Sequence, residues 1–281
     1  MERPSLRLGG DLEVNRLGFG AMRLCGPGVW GDPEDPENAG RVLWRAVELG
    51  VDFIDTADAY GPETNERLIA RTLRPYPDGM VIATKGGYTR QGPGRWRTNG
   101  RPKHLRGACE GSLRRLGLEQ IPLYQLHRPD SRIPFERSLE ALARLKEEAK
   151  IRHVGLSNVT AEQLTRAVEV LPVASVQNRY NLNDRRSEGV LETCERRGIA
   201  FIPWLPLGVG RLGRPKGALR TIAARHGATV PQVALAWLLA RSPVVLPIPG
   251  TSSISHLEEN VAAARLRLSH AEVRELTSLK P

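Results

Sequence analysis

Eight short apolar runs, separated by helix-like stretches on a chain of 281 residues, predict an α/β fold in which parallel strands and right-handed crossovers close into a (β/α)8 barrel. Three observations carry that reading. The runs are rich in β-branched and aromatic residues and alternate with patterns that keep one apolar helical face. The length suits one barrel and demands no boundary. No linker, low-complexity stretch or break in composition divides the chain, so residues 1–281 are expected to form a single domain of the TIM-barrel type.

Taken in order, "SLRLGGDLEV" (5–14) places a Gly-Gly-Asp turn between two short alternating runs and predicts a β-hairpin capping the barrel floor. The eight candidate strands are "NRLGFG" (15–20), "VDFIDT" (51–56), "MVIATK" (80–85), "IPLYQLH" (121–127), "IRHVGLS" (151–157), "VASVQN" (173–178), "IAFIPW" (199–204) and "VVLPIP" (244–249). Between them, 134–149 keeps Phe135, Leu139, Leu142 and Leu145 on one face, and 160–170 opens on the capping box Thr160-x-x-Gln163. "GGYTRQGPGRWRTNGR" (86–101) reads as an irregular functional loop at the barrel mouth. Two extra C-terminal helices are announced by the boxes Ser255-x-x-Glu258 and Ser269-x-x-Glu272.

Composition narrows the function. With 40% hydrophobic and 26% charged residues the chain belongs among globular rather than disordered proteins. No 18-residue apolar run and no basic-then-apolar leader follow Met1, so neither a membrane span nor a secretory signal is expected, and the cytoplasm is the expected compartment. Cys25, Cys109 and Cys194 are scattered, without the spacing of a zinc or disulfide framework, and read as free thiols; no metal is expected. The net charge of +10 invites a nucleic-acid reading. Only six of the 41 basic residues are lysine, however, and the arginines lie among glutamates on presumed helix faces, so a solvated surface is expected and no nucleic-acid partner. A mild attraction for an anionic cofactor remains.

In such a barrel, reactive groups sit where strands end and βα loops begin. The second candidate strand ends at Asp55, with Tyr60 on the following loop, the third ends at Lys85 and the fourth at His127. Strands about 4.8 Å apart bring these side chains to one point. A lysine ammonium beside a phenol favours the phenolate and lowers its pKa, and Asp55 can pair that lysine, which burial would otherwise neutralise. A neutral His127 can donate to a carbonyl oxygen. The set suits reduction of a C=O by a general acid with an electrostatic helper. Singly, each has an ordinary explanation as a cap, a packing ring or a satisfied core histidine; their joint occurrence at successive strand ends is what points to chemistry.

At these residues the chain resembles the aldo-keto reductase family, nearly end to end. "DTADAYG", "ATKGG", "LYQLHRPD", "VGLSNV", "VQNRYN", "PWLPLG" and "IPGTSSISHLEEN" each resemble a family block, in the family's order. The resemblance implies a barrel binding NADP(H) across its C-terminal mouth, without a Rossmann domain, and a catalytic tetrad of Asp55, Tyr60, Lys85 and His127. "GFGAMR" (18–23), with arginine at position 23, is not a Rossmann fingerprint.

The resemblance further puts Ser157, Asn158 and Gln177 around the nicotinamide amide and Trp204 against its ring. It adds Gly20, Met22 and Asp55, the loop residues Pro206, Leu207 and Gly208, and the segment Gly250, Ser252, Ser253, His256, Glu259 and Asn260 to the cofactor set. A helix beginning near Ser255 offers free N–H groups and a positive dipole end to the 2′-phosphate, with the Ser252 and Ser253 hydroxyls as donors. Gly250 stands where the family commonly has lysine and His256 where it commonly has arginine. Both changes weaken NADP over NAD preference; NADPH stays the expected cofactor and NADH the alternative. Pro122 replaces a common aspartate and implies a local change at its strand's start.

For the substrate, Trp30, Tyr88 and Trp96, with Tyr60 and His127, are expected to form an aromatic cup for a flat or hydrophobic carbonyl compound. "PWLPLG" is similar to the loop of bacterial members that reduce pyridoxal, which makes that aldehyde one candidate. The expected function is therefore NAD(P)H-dependent reduction of an aldehyde or ketone with Tyr60 as general acid, in a protein expected to be a monomer. The alternative is a nucleotide-binding redox-sensing or scaffold subunit with little turnover, as the family's potassium-channel β subunits suggest.

Overall fold

A computed structural model describes residues 5–208 and 217–279. It opens on the antiparallel pair β1 (Ser5–Leu8) and β2 (Leu12–Asn15), whose Gly9-Gly10 turn takes positive φ at both glycines. Alternation along β2 buries Leu12 and Val14. Together with Leu8 they share one apolar cluster with Phe53, Val81, Leu123, Ala200 and Leu246.

Parallel strands follow, each short and buried: β3 (Phe19–Gly20), β4 (Phe53–Asp55) and β5 (Val81–Gly86). The segment 86–101 then departs from the sequence expectation of an irregular loop. It contains a second hairpin, β6 (Tyr88–Arg90) against β7 (Trp96–Thr98), with Tyr88 opposite Thr98 and Arg90 opposite Trp96. Its exposed residues carry no apolar alternation, the usual signal of a half-buried strand. The parallel series resumes with β8 (Ile121–Leu126), β9 (Ile151–Ser157), β10 (Val173–Arg179) and β11 (Ala200–Trp204). The order across the main sheet is β11-β10-β9-β8-β5-β4-β3.

The eighth run, 244–249, makes one isolated parallel bridge, Val245 with Phe201, and does not form a regular strand. Pro243, Pro247 and Pro249 have no N–H to give a ladder. The run still bridges the two sheet edges. Phe201 N donates to Val244 O (2.8 Å) and Leu246 N to Phe201 O (2.9 Å), while Gly18 N donates to Pro247 O (2.9 Å) and Gly20 N to Pro249 O (3.4 Å). Seven strands and this segment thus complete the ring.

Helices cover the outside: α1 (Pro36–Glu48), α2 (Thr64–Leu73), α3 (Pro102–Leu116), α4 (Phe135–Glu147), α5 (Ala161–Val170), α6 (Glu188–Arg197), α7 (Gly217–Arg225), α8 (Val230–Arg241), α9 (Ile254–Ala262) and α10 (His270–Ser278). Phe135, Leu139, Leu142 and Leu145 form the buried face of α4. Capping boxes open α5 at Thr160, α10 at Ser269 and, unanticipated, α8 at Thr229. The expected box at Ser255 is corrected. Helix α9 begins two residues earlier, capped by Ser253, whose hydroxyl accepts from His256 N at 3.4 Å. Ser255 lies in the first turn with its Oγ 2.8 Å from that of Ser253.

Among the described residues no helix is long and apolar enough to cross a membrane, and no cluster of His, Cys, Asp and Glu could hold a metal ion. The three cysteines are unpaired, and burial pushes the Cys109 and Cys194 thiols up to about 12.

Candidate active site

The site begins with a polar layer inside the barrel. Register sets Lys85 beside Gln125 and Gly20 beside Asp55 on neighbouring strands. Lys85, with no exposed surface, donates to Asp55 Oδ2 at 2.6 Å and to the Thr56 carbonyl at 2.9 Å. The other carboxylate oxygen, Oδ1, accepts from Gln177 Nε2 at 2.7 Å and Gln125 Nε2 at 3.2 Å. Asp55 is therefore neutralised and hydrogen-bonded at both oxygens, as a buried carboxylate must be. Gly155 makes room for this layer. A Cβ there would stand 2.4 Å from Ser175 Oγ and 2.8 Å from Gln125 Cγ.

Above the layer, the Tyr60 hydroxyl lies 3.5 Å from Lys85 Nζ, so one ammonium reaches both the acid and the phenol. The direction of its effect differs from the sequence expectation. Burial first, and the Asp55 carboxylate next, hold the Tyr60 phenol well above its ordinary value. Lys85 is much closer to Asp55 than to the phenol, so its charge is largely balanced there. Its own pKa is lowered by burial against the opposing pull of Asp55. Tyr60 thus keeps its proton, the form a general acid requires.

His127 follows β8, and its backbone N–H donates to Gly86 O at 2.8 Å. Its ring is buried, and burial with the nearby Lys85, Arg128 and Arg90 charges pushes it well below the ordinary histidine range. The imidazole is neutral at physiological pH, and its buried Nδ1 has no hydrogen-bond partner. Edge-to-face contacts join it to Tyr60 (5.7 Å), Tyr88 (4.6 Å) and Trp96 (6.2 Å).

Asn158 follows β9 with φ of 60°, a conformation asparagine tolerates better than most residues. Its Nδ2 donates to His127 O (3.0 Å) and Ser157 Oγ (2.9 Å), and its Oδ1 accepts from Trp204 Nε1 at 3.2 Å. This chain of bonds ties the ends of β8, β9 and β11 together.

These groups face a cleft of about 460 Å3. Of the residues singled out in the sequence, Gly20, Met22, Asp55, Tyr60, Tyr88, Trp96, His127, Ser157, Asn158, Gln177, Trp204, Pro206, Leu207, Gly208 and Gly250 line it. Lys85 lies just beneath. Trp30 does not line this cleft; its ring stacks on Arg90 at 5.6 Å. Arg90 in turn lies 3.6 Å over Trp96 and donates to the carbonyls of Gly28, Val29, Ala59 and Gly92, so Trp30 supports the rim from outside. Ser252 lines an adjoining cleft that shares Met22 and Arg23 with the first. Ser253 caps α9, the Glu259 carbonyl accepts from Gln232, and Ser253, His256, Glu259 and Asn260 line neither cleft.

Sequence reasoning missed Arg23, Arg128, Leu205, Ile248 and Pro249 in the wall and Gln125 in the polar layer. Gln125 was findable, because it stands two residues before His127 on a strand, and such residues share a face. Gly250 also acquires a different meaning. A Cβ on it would lie 2.4 Å from the Gly20 carbonyl oxygen, and one on Gly20 would lie 2.7 Å from the Ile248 carbonyl oxygen. The two glycines form a bare backbone cradle at the cleft wall, so position 250 has no room for a side chain unless Gly20 moves.

The sequence profile described as the aldo/keto reductase family matches residues 16–281. An uncharacterized oxidoreductase of Schizosaccharomyces pombe is 51% identical over 260 residues, 92% of this chain and 85% of the relative. Pyridoxine 4-dehydrogenase of Escherichia coli is 43% identical over 266 residues, 92% and 93% of the two chains. The crystal structure of an aldo-keto reductase from Klebsiella pneumoniae in complex with NADPH superimposes with a TM-score of 0.82, at 28% identity over 98% of this chain and 94% of that one.

Proposed function

The chain belongs to the aldo/keto reductase family, and from that premise we propose that it reduces an aldehyde or ketone to the alcohol with NADPH, Tyr60 giving the proton. One observation carries the assignment of roles: the Lys85 ammonium contacts both the Asp55 carboxylate and the Tyr60 hydroxyl at the base of the cleft.

The bare cradle at Gly20 and Gly250, the aromatic Trp204 and the polar ends of Ser157 and Asn158 suit a nicotinamide nucleotide lying along the wall. When bound, the reduced nicotinamide supplies hydride to the carbonyl carbon. Trp204, held by Asn158, presents a fixed face to the ring. Gln177 also donates to Asp55, so it serves the polar layer as well as any amide above it. NADPH is favoured because a structural neighbour holds it.

In the substrate pocket, neutral His127 and the Tyr60 hydroxyl point one carbonyl oxygen toward a donor pair. Negative charge developing on that oxygen is met by the Tyr60 proton, and the phenolate left behind is stabilised by Lys85. Lys85 therefore acts after proton transfer has begun, rather than by lowering the resting phenol. The 43% identical pyridoxine 4-dehydrogenase makes an aromatic hydroxymethyl/aldehyde couple such as pyridoxine and pyridoxal one candidate. In this reading the N-terminal hairpin closes the barrel floor opposite the mouth, and residues 1–281 work as one domain.

Steady-state assays over a panel of aldehydes and ketones, with NADPH and NADH in parallel, test the proposal. Loss of reduced-nicotinamide absorbance with at least one aldehyde, faster with NADPH, is expected. Tight nucleotide binding with no turnover across the panel would leave the redox-sensing subunit as the better reading.

A further inference from the structure

The substrate end of the cleft carries a cation that the chemistry above does not use. Arg128 directly follows His127 and lines the same wall. Its Nε donates to the Tyr88 hydroxyl at 2.7 Å, which fixes the orientation of the guanidinium, and no other hydrogen bond or ion pair engages it among the described residues. The contrast with Arg90 is informative. That guanidinium is occupied by five backbone carbonyls and the Trp96 face, and so serves the rim. The carboxylate lining the cleft, Asp55, is already held by Lys85, Gln125 and Gln177. Arg128 therefore offers both terminal nitrogens beside the aromatic wall of Tyr88, Trp96 and His127, with no acceptor for them among the described residues.

We propose that Arg128 is a specificity-determining residue, selecting carbonyl substrates that carry an anionic oxygen group, a carboxylate above all, about one ring away from the reacting carbon. The inference rests on the carbonyl-reductase reading. An oriented guanidinium matches a carboxylate through two parallel N–H···O bonds, which a neutral substituent cannot reproduce. Arg128 is exposed, so water competes at its terminal nitrogens, and the two-point match rather than a sheltered field sets the preference. The Tyr88 ring lies 4.6 Å from the His127 ring and its hydroxyl accepts from Arg128 Nε, so an anion on the fork sits about one ring's breadth from His127, and aromatic aldehydes with a ring carboxylate have the matching shape.

The test compares 3- and 4-carboxybenzaldehyde with their methyl esters, using NADPH and the full-length protein. For at least one isomer, kcat/KM is expected to favour the acid over the ester by about tenfold or more. That ratio should fall towards one in Arg128→Gln, chiefly through KM, and recover in part in Arg128→Lys, which keeps the charge but loses the fork. A ratio distinguishes charge recognition from effects on His127 or Tyr88, which alter acid and ester alike. NADPH titration by fluorescence establishes that each variant is folded. If the acids hold no advantage in the parent, or keep it undiminished in Arg128→Gln, the inference is wrong while the reductase reading stands. If the parent turns over neither acid nor ester nor any other carbonyl, the reductase reading itself falls and takes the inference with it.

Discussion

Lys85 and Asp55 form an ion pair at 2.6 Å inside the barrel, with the ammonium wholly shielded from solvent. Removing one partner leaves an uncompensated charge, whereas removing both leaves a neutral layer. Lys85→Met should therefore cost about 3–5 kcal/mol of stability. The double variant Asp55→Asn/Lys85→Met should regain much of that loss, as read by urea denaturation, while remaining inactive. Equal destabilisation of single and double variants would argue that the pair has little energetic coupling.

Tyr60→Phe removes the hydroxyl and leaves a ring that can keep its packing against Trp96 and His127. Turnover of a good aldehyde should drop by two or more decades, about the effect of losing a general acid. NADPH affinity measured by fluorescence titration should change little. A parent-like rate in this variant would remove Tyr60 from the mechanism.

The His127 ring is pushed well below the ordinary histidine range, so the folded protein refuses a proton that the unfolded chain accepts. Between the folded pKa and about 6.5, the unfolded state binds more protons, and stability rises with pH. On acidification, stability attributable to His127 begins to fall near 6.5 and continues to fall until the folded pKa is reached. Urea midpoints at pH 7 and pH 5 should show a smaller acid loss in His127→Asn than in the parent. For the same reason, kcat/KM should show no histidine inflection near 6.5.

Gly250→Lys probes the cradle. Comparison by family pattern alone suggests that lysine here would strengthen NADPH preference. The Gly20 carbonyl lies 2.4 Å from where the new Cβ would be. The variant should instead lose about 1–3 kcal/mol of stability through overpacking and bind NADPH less tightly, measured by thermal unfolding and fluorescence titration. A stable variant with sharpened NADPH preference would show that Gly20 yields easily.

Much of this architecture was legible because parallel barrel strands are continuous apolar runs with their reactive ends at fixed places. Asp55, Lys85 and His127 could be assigned to neighbouring strands by counting one βα unit at a time, and the structure brings them together with Tyr60. The β6–β7 hairpin was not legible, since Arg90, Trp96 and Arg97 face partly into solvent and lack an alternating pattern. The cap of α9 was misplaced because Ser252, Ser253 and Ser255 offer competing hydroxyls, and only backbone geometry chooses among them. The protonated state of Tyr60 was also hidden. It depends first on how completely the phenol is buried and next on its nearness to the Asp55 carboxylate, neither of which spacing along a chain can resolve.

The proline-studded run 244–249 gives the barrel a clasp rather than a seamless wall. Few backbone bonds hold it, and two of them reach Gly18 and Gly20, whose neighbour across the gap is Gly250. Backbone pairing along this line is limited to those bonds, directly beside the cleft. A molecule lying across those glycines would rest on the closure itself, so its binding should be felt as added stability of the wall.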